Sequence, residues 1–434
     1  FVTLEPDASA CRLIWSPTQT LRLTPSPIAW CRIWSPIFDR HVRWGFDMSD
    51  NSRAMLMAGI PATSFSLYHR IRFIVGDPTA LLVLPSESGS QSTLILRDIE
   101  MQRARQKARV DQVHCPADFT PESGLSGDRE TATAQSVAEL LNRKGITSVT
   151  SDRTLPLIYA HILAERGITV ECDLDLGVTE RRAKDDEEVA WLAEAQATTE
   201  DLMRQALEWI STASVDDSGQ LIVDGEVLTS ERVQKRIDIW VLEAGCNHPG
   251  SIVAGGPQGA DCHHFGTGPL RTNEPIIVDI FPRVKASKYN GDCTRTMVHG
   301  DISDELHRMH AAVAVAKKAA IDATRAGVTG EAVHEATKAA ILGQGFQMGL
   351  PTADDPDTYC AMIHGTGHGV GLEVHEPPLL DRGGPPLVVG DCLTIEPGLY
   401  SRALGGIRLE DMVIVRENGC DNLNKLPEGL DWTP

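Results

Sequence analysis

The sequence predicts an α/β (α+β) chain built in two successive regions, and three observations carry that prediction. Over the first half, short β-rich runs alternate with helical ones. Over the second half, apolar strand-like runs are each interrupted by a carboxylate. Residues 363–377 then place three imidazoles and four glycines in fifteen positions. Histidine ligates metals and moves protons near neutral pH, and glycine lets backbone approach a ligand, so that stretch points to a crowded polar site and not to packed core.

A length of 434 residues exceeds one ordinary core and suggests two domains with an appended segment. The expected divisions are an atypical leader at 1–47, an amino-terminal domain at 48–179 and a second domain at 180–434. With 60 acidic and 40 basic side chains the formal net charge is −20, which repels nucleic acid and anionic membrane surfaces. No apolar run approaches a membrane span, and no charged start followed by an apolar core marks a signal peptide, so the cytoplasm is the default compartment. The 10 cysteines include no Cys-x-x-Cys pair, which argues against a disulfide framework and a structural zinc site; they read as buried free thiols.

Residues 1–47 stand apart. They hold Trp15, Trp30, Trp34 and Trp44, carry arginines but no lysine, repeat an Arg-Leu/Ile-(Ile)-Trp-Ser-Pro phrase around Trp15 and Trp34, and show no helix or strand period. A misplaced or dispensable start upstream of Met48 is expected; the rival is a partner-binding arm, and truncation from Met48 with solubility and activity assays separates the two. From Met48 to about Val178, residues 71–75, 81–84 and 93–96 read as strands, 134–144 as a helix stopped by Gly145, and 146–150 as a strand. The motif repeats with a helix over 155–166, Gly167 and a strand from Ile168. No dinucleotide fingerprint or nucleophile elbow occurs here, so this half is expected to shape the substrate site or to oligomerise. Residues 180–188 read as a solvated, charged junction entering a long helix, whose first acids suit the positive end of its dipole and whose Val189, Leu192, Gln196 and Leu202 form a stripe. A polar loop is expected over 216–225 and a helix over 229–243.

The run 276–280 is an apolar strand interrupted by Asp279, and an unpaired buried charge costs several kcal/mol, so a cation partner is expected. A second strand at 292–296 alternates so that Asp292, Thr294 and Thr296 share one face while Cys293 takes the other. Residues 282–291 can turn the chain back into a hairpin, which brings Asp279 and Asp292 together; two adjacent carboxylates stay ionised only with a cation between them. Glu396 and Glu410 repeat the theme of an acid within an apolar strand. With His368 the set becomes four carboxylates and one imidazole, which suits Mn²⁺, Co²⁺, Fe²⁺ or a carboxylate-tolerant Zn²⁺ pair. Two ions bridged by carboxylates can hold a hydroxide between them as a nucleophile.

Taken together, Asp279, Asp292-x-Thr-Arg-Thr, His364-x-x-x-His368-Gly-x-Gly-x-x-x-His375-Glu376, Ile395-Glu396-Pro-Gly and Arg408-x-Glu410-Asp411 resemble the dinuclear metallopeptidases that include Xaa-Pro aminopeptidase, prolidase and methionine aminopeptidase. The resemblance covers about residues 182–417, and the preceding half resembles the amino-terminal domain of the creatinase, prolidase and aminopeptidase P branch. It implies a creatinase-like amino-terminal α/β domain followed by a pita-bread catalytic domain. In the latter an antiparallel sheet is backed by helices in two pseudo-symmetric halves, with the helical stretch 304–345 between them.

The resemblance also implies roles. Asp279, Asp292, His368, Glu396 and Glu410 would hold two divalent ions, Mn²⁺ first and Co²⁺, Zn²⁺ or Fe²⁺ also accepted, with Asp292 and Glu410 bridging. Glu396 would also be general base, and His375 would donate to the scissile carbonyl oxygen. His263 would line the substrate site, with His264 its less favoured substitute; His364 and Arg408 would lie beside the substrate or orient the ligands. One departure stands out: Asp279 and Asp292 lie 13 positions apart where the family spacing is about eleven, so a longer or bulged hairpin loop is expected, with the extra residues at its tip.

The implied activity is hydrolysis at the amino end of short peptides. The sizeable first domain favours Xaa-Pro bonds over methionine aminopeptidase action, and the implied assembly is a homodimer or higher homo-oligomer. Three rivals were weighed. A nucleotide loop fails because the alternating glycines miss the dinucleotide spacing and no P-loop lysine follows. A creatinase-like amidinohydrolase shares the fold and works without metal, so it does not need the five ligands present here. A non-catalytic binding module on a peptidase scaffold usually comes with lost ligands.

Overall fold

The computed structural model describes residues 54–86 and 89–433. The leader at 1–47, with its tryptophans and repeated phrase, lies outside the described residues.

The first half builds around the strand Ala54–Gly59, buried at every position but the half-buried Met55 and without a strand signal in the sequence. Buried on both faces, it shows none of the period-2 alternation that marks a half-exposed strand. It pairs antiparallel with Thr79–Ser86 and parallel with Ser148–Asp152, and so sits at the centre of a six-stranded mixed sheet. Gly89–Ile95 and Gln112–His114 extend one side and Thr169–Asp173 the other. Helices Arg129–Arg143 and Leu157–Glu165 cover one face through Val137, Leu141, Tyr159 and Leu163.

One predicted strand is corrected. Residues 71–75 do alternate in burial, with Ile71, Phe73 and Val75 inside. They form no ladder, because Ile71 ends the helix Phe65–Ile71 and Arg72 closes it with a left-handed φ of 48°. Alternation reports which side faces the core, not whether a neighbouring strand is present to pair.

The charged junction is corrected in part. Asp185, Asp186 and Glu187 are exposed as expected, but the basic residues turn inward: Arg181 donates to Glu373 and Glu376, Lys184 Nζ lies 2.8 Å from Glu376 Oε1, and Arg182 forks onto Asp391 at 2.7 and 2.9 Å. Arg181, Lys184, Glu376 and Asp391 are all buried. Basic side chains enter a protein interior when each meets its acid, and these acids come from two hundred residues away, beyond the reach of local reading.

Helix Asp186–Ser211 starts as its acids foretell. Asp185 accepts from the Glu188 amide at 2.9 Å, Glu188 reaches back to the Asp185 amide at 3.0 Å, and the capping box closes. Residues 216–225, expected as a loop, contain the strand Leu221–Val223 within a small three-stranded sheet. Asp216 Oδ1 gathers the Ser218 and Gln220 amides into a turn, which frees Leu221 and Val223 to enter the core. Ser230–Glu243 follows as the second helix, capped by Thr229.

The pattern of two helices followed by antiparallel strands then recurs. Asp304–Ala323 and Gly330–Gly343 are separate helices, divided at 324–329, where one helical stretch was expected. Thr329 caps the second of them. Three antiparallel strands (Ile252–Gly255, Pro275–Ile280, Cys293–Val298) follow the first helix pair. A four-stranded and a five-stranded sheet follow the second pair. The eight cysteines described are free; Cys246, Cys293 and Cys392 are buried as expected, whereas Cys172 is exposed. No described helix is long and apolar enough to cross a membrane.

Candidate metal centre

Pro275–Ile280 and Cys293–Val298 form the hairpin that the two aspartates require. Asp279 stands opposite Thr294 and Ile280 opposite Cys293, so Asp279 and the neighbouring Asp292 approach from the same side. Thr294 Oγ1 reaches Glu410 Oε2 at 2.8 Å and Thr296 Oγ1 the Arg408 carbonyl at 3.1 Å, while Cys293 packs into the core on the other face. Asp292 is fixed from the long helix: Gln196 Nε2 donates to its carbonyl at 2.7 Å and Gln196 Oε1 accepts from its amide at 2.9 Å.

The glycine-rich run forms the opposite wall. Gly367–Gly369 runs between Glu376–Leu380 and Cys392–Ile395. A Cβ at Gly367 would lie 2.0 Å from the Thr394 carbonyl oxygen, so this strand reaches its neighbour only without a side chain there. His368 Nδ1 contacts the Gly369 carbonyl at 3.1 Å, a contact that needs the proton on Nδ1 and leaves the Nε2 lone pair facing the carboxylates. Nε2 lies 3.3 Å from Glu396 Oε1 and 3.9 Å from Asp292 Oδ2. Asp292, His368 and Glu410 each offer a ligand atom within 4.8 Å of the others.

Asp279 and Glu396 line the same cleft, of about 390 Å³. Asp279 Oδ2 receives Arg408 Nη2 at 2.7 Å, while its buried Oδ1 has no hydrogen-bond partner among the described residues. Arg408 is engaged through all three of its nitrogens, donating also to Thr294 Oγ1, the Cys262 carbonyl and Tyr400 Oη. Those contacts suit it to orient Asp279.

The charges are unevenly held. Burial, reinforced by neighbouring carboxylates, pushes Asp292 and Glu410 well above the usual carboxylate range, and burial lifts Asp279 in spite of Arg408. Glu396 goes the other way: burial opposes its ionisation, but His368, His364 and Arg408 prevail and hold it at about 2. Burial pulls on His368 too, yet its contact with Glu396 raises it. Asp411, one residue beyond Glu410, points away and is satisfied by Lys317 at 2.6 Å and Arg295 at 2.8 Å; burial notwithstanding, those cations lower its pKa. An orphaned carboxylate oxygen, an outward imidazole lone pair and three carboxylates that resist ionisation are together the donor set of an oxygen-rich cation site.

The remaining expected residues fall around this set. His375 is exposed in the cleft, its ring 4.2 Å from that of His368 and roughly perpendicular to it. Burial and His368 lower its pKa. His263 lines the cleft. His264 instead accepts the Gly266 amide at 2.9 Å. His364 contacts the Gly365 carbonyl through Nδ1 and Tyr400 Oη through Nε2, both at 2.7 Å.

Tyr400 was not foreseen. It links Arg408 to His364 and lies four residues beyond Glu396, where alternation along Gly398–Ser401 could have suggested it. Gln196 sits in a stripe otherwise made of Leu and Val, and an amide in such a place is the sequence signal of its buried role.

The profile of metallopeptidase family M24 matches residues 190–417, more than half of the chain. The chain belongs to metallopeptidase family M24. Among curated relatives it is 35% identical over 185 residues to the probable dipeptidase PepE of Mycobacterium tuberculosis, a match covering 42% of this chain and 46% of that one. It is 28% identical over 235 residues to the Xaa-Pro dipeptidase of Pyrococcus furiosus, covering 52% and 64%. The chain thus spans about half the length of the curated relatives it matches. In three dimensions it is similar to the prolidase of Pyrococcus horikoshii, with a TM-score of 0.68 at 21% identity over 88% of this chain and 97% of the other. Against dipeptidase PepE of Mycobacterium ulcerans the TM-score is 0.65 at 26% identity, over 89% and 98%. The pita-bread α/β fold that the motifs implied is therefore the M24 fold of this chain. The family's enzymes depend on paired metal ions, and Asp292, His368 and Glu410 form the candidate centre here.

Proposed function

We propose that the chain hydrolyses the peptide bond at the amino end of short peptides, Xaa-Pro bonds foremost. The observation that carries the reading is the convergence of Asp279, Asp292, His368, Glu396 and Glu410 on one cleft within the M24 match. The names of the relatives, dipeptidase and Xaa-Pro dipeptidase, support the substrate class.

In this reading Asp279, Asp292, His368, Glu396 and Glu410 would hold two divalent ions, Mn²⁺ first. When bound, the ions supply Lewis acidity and lower the pKa of water. Glu396, kept ionised by its neighbours, takes the proton of the attacking water and passes it to the leaving nitrogen. His375, whose lowered pKa keeps it neutral, donates its N–H to the carbonyl oxygen as negative charge develops there. His263 bounds the substrate from the cleft wall, and the Arg408–Tyr400–His364 chain holds Asp279 and His364 in place. A homo-oligomer in the cytoplasm is the proposed setting.

Metal analysis of purified protein, followed by assays of an Xaa-Pro dipeptide and an Xaa-Pro-Yaa tripeptide with added Mn²⁺, tests the reading. Two ions per chain and Mn²⁺-dependent cleavage are expected. Absence of any bound or activating divalent ion would sink it.

A further inference from the structure

The cleft holds a fifth acid that the metal reading does not use. Asp381 lines it together with Leu379 and the proposed catalytic residues. Its placement follows from strand register: Glu376–Leu380 pairs antiparallel with Gly367–Gly369, which sets Leu379 opposite His368. Pro377 and Leu379 are exposed while Pro378 and Leu380 are buried, so Asp381 continues the open face. Asp381 lies in the bend just past the end of that strand, two positions beyond Leu379.

The two oxygens of Asp381 are held unequally. Oδ1 accepts the Arg382 amide at 2.6 Å and lies 3.6 Å from His334 Nε2, whose other ring nitrogen is bonded to Thr366 Oγ1 at 3.0 Å. No described residue donates to Oδ2. A Cβ on Gly365 would sit 3.1 Å from both Oδ2 and Cβ of Asp381, so the acid takes its place only against a residue without a side chain.

Charge then decides what can lie beside it. Two divalent ions match the four carboxylates Asp279, Asp292, Glu396 and Glu410. Arg408, the one Arg or Lys among the described cleft residues, is buried with its donors engaged by Asp279, Thr294, Tyr400 and the Cys262 carbonyl. No other Arg or Lys lines the cleft among the described residues to receive a carboxylate of the substrate, and Asp381 would repel one. A peptide cut at its amino end has its remaining length on the leaving-group side, and a substrate whose leaving-group side ran along this open strand would meet Asp381.

We propose that Asp381 sets substrate class: the cleft takes peptides whose leaving-group side presents an amide, a continuing chain or a cationic side chain, and disfavours a free terminal carboxylate there. The inference rests on the peptidase reading above.

The test compares Ala-Pro, Ala-Pro-amide and Ala-Pro-Lys-amide on the Mn²⁺-loaded protein. Wild type should favour the amide over the acid by about tenfold in kcat/KM, with the Lys-amide at least as good, the effect of one partly solvated charge. Asp381→Asn, which can still accept the Arg382 amide, should bring the three together, and Asp381→Lys should reverse the order. An acid cleaved as well as its amide by wild type, or a preference unchanged in Asp381→Asn, would overturn the proposal. If wild type cleaves none of them, the peptidase reading fails, and equilibrium binding of the acid and the amide still decides this one: equal affinities overturn it, and about tenfold tighter binding of the amide, lost in Asp381→Asn, upholds it.

Discussion

Gln196 shows how much one side chain can settle. Its amide satisfies both backbone groups of Asp292 from a helix nearly a hundred residues earlier. Gln196→Ala would leave a buried N–H and a buried C=O without partners, and is expected to lower stability by about 2–4 kcal/mol and to weaken metal uptake. Denaturant unfolding and metal titration check this; unchanged values in both would show that Asp292 is held otherwise. The ligands themselves should separate by role. Glu396→Gln should retain metal yet lose about a hundredfold or more in turnover, as removal of a general base does. Asp292→Ala should lose metal, and full stoichiometry in that variant would count against its proposed place among the ligands.

At the level of elements, the ligand strands were legible because each carries an acid where an apolar residue belongs, and burial of an unmatched charge has few explanations. Thr294 and Thr296 facing the site with Cys293 behind them followed from period 2 alone. Two features were hidden for different reasons: the central strand Ala54–Gly59 has remote partners and no exposed face to give it a rhythm, and the strand Leu221–Val223 is masked by the polar residues of the local Asp216 turn. Residues 71–75 erred in the opposite sense, since their rhythm had no neighbouring strand to match. The glycine run tests the strand argument directly. Gly367→Ala would drive a methyl group against the Thr394 carbonyl, displacing His368 from Glu396, and should cost both folded yield and bound metal. A variant with wild-type melting temperature and metal content would contradict that packing.

For the molecule as a whole, pH and metal should act together. Without ions, Asp279, Asp292 and Glu410 have raised pKa values in the folded chain, so the native state binds more protons than the unfolded one. Their contribution to stability then falls as pH rises above about 4 through the folded values. Glu376 and Asp411 have lowered values, so what they contribute is present above the unfolded pKa and is lost as pH falls through the folded one. Bound ions remove the first effect and leave the second. Calorimetry with Mn²⁺ and with chelator should therefore show a larger metal-induced rise in melting temperature at pH 8 than at pH 5.5; equal rises would mean that the three carboxylates ionise freely without metal. We also propose that the division between the two domains falls at the short helix Thr179–Arg182.

The buried pairing of Arg181 and Lys184 with Glu376 bears on where this chain can be cut and rejoined. Residues 181–184 lie beside the first half in sequence but belong electrically to the second. A fragment or chimera whose second part begins at Asp186 would strand Glu376 beside His375 with no counter-charge, whereas one beginning at Thr179 carries both cations with it. Recombining halves from different relatives should succeed only at crossovers upstream of that segment.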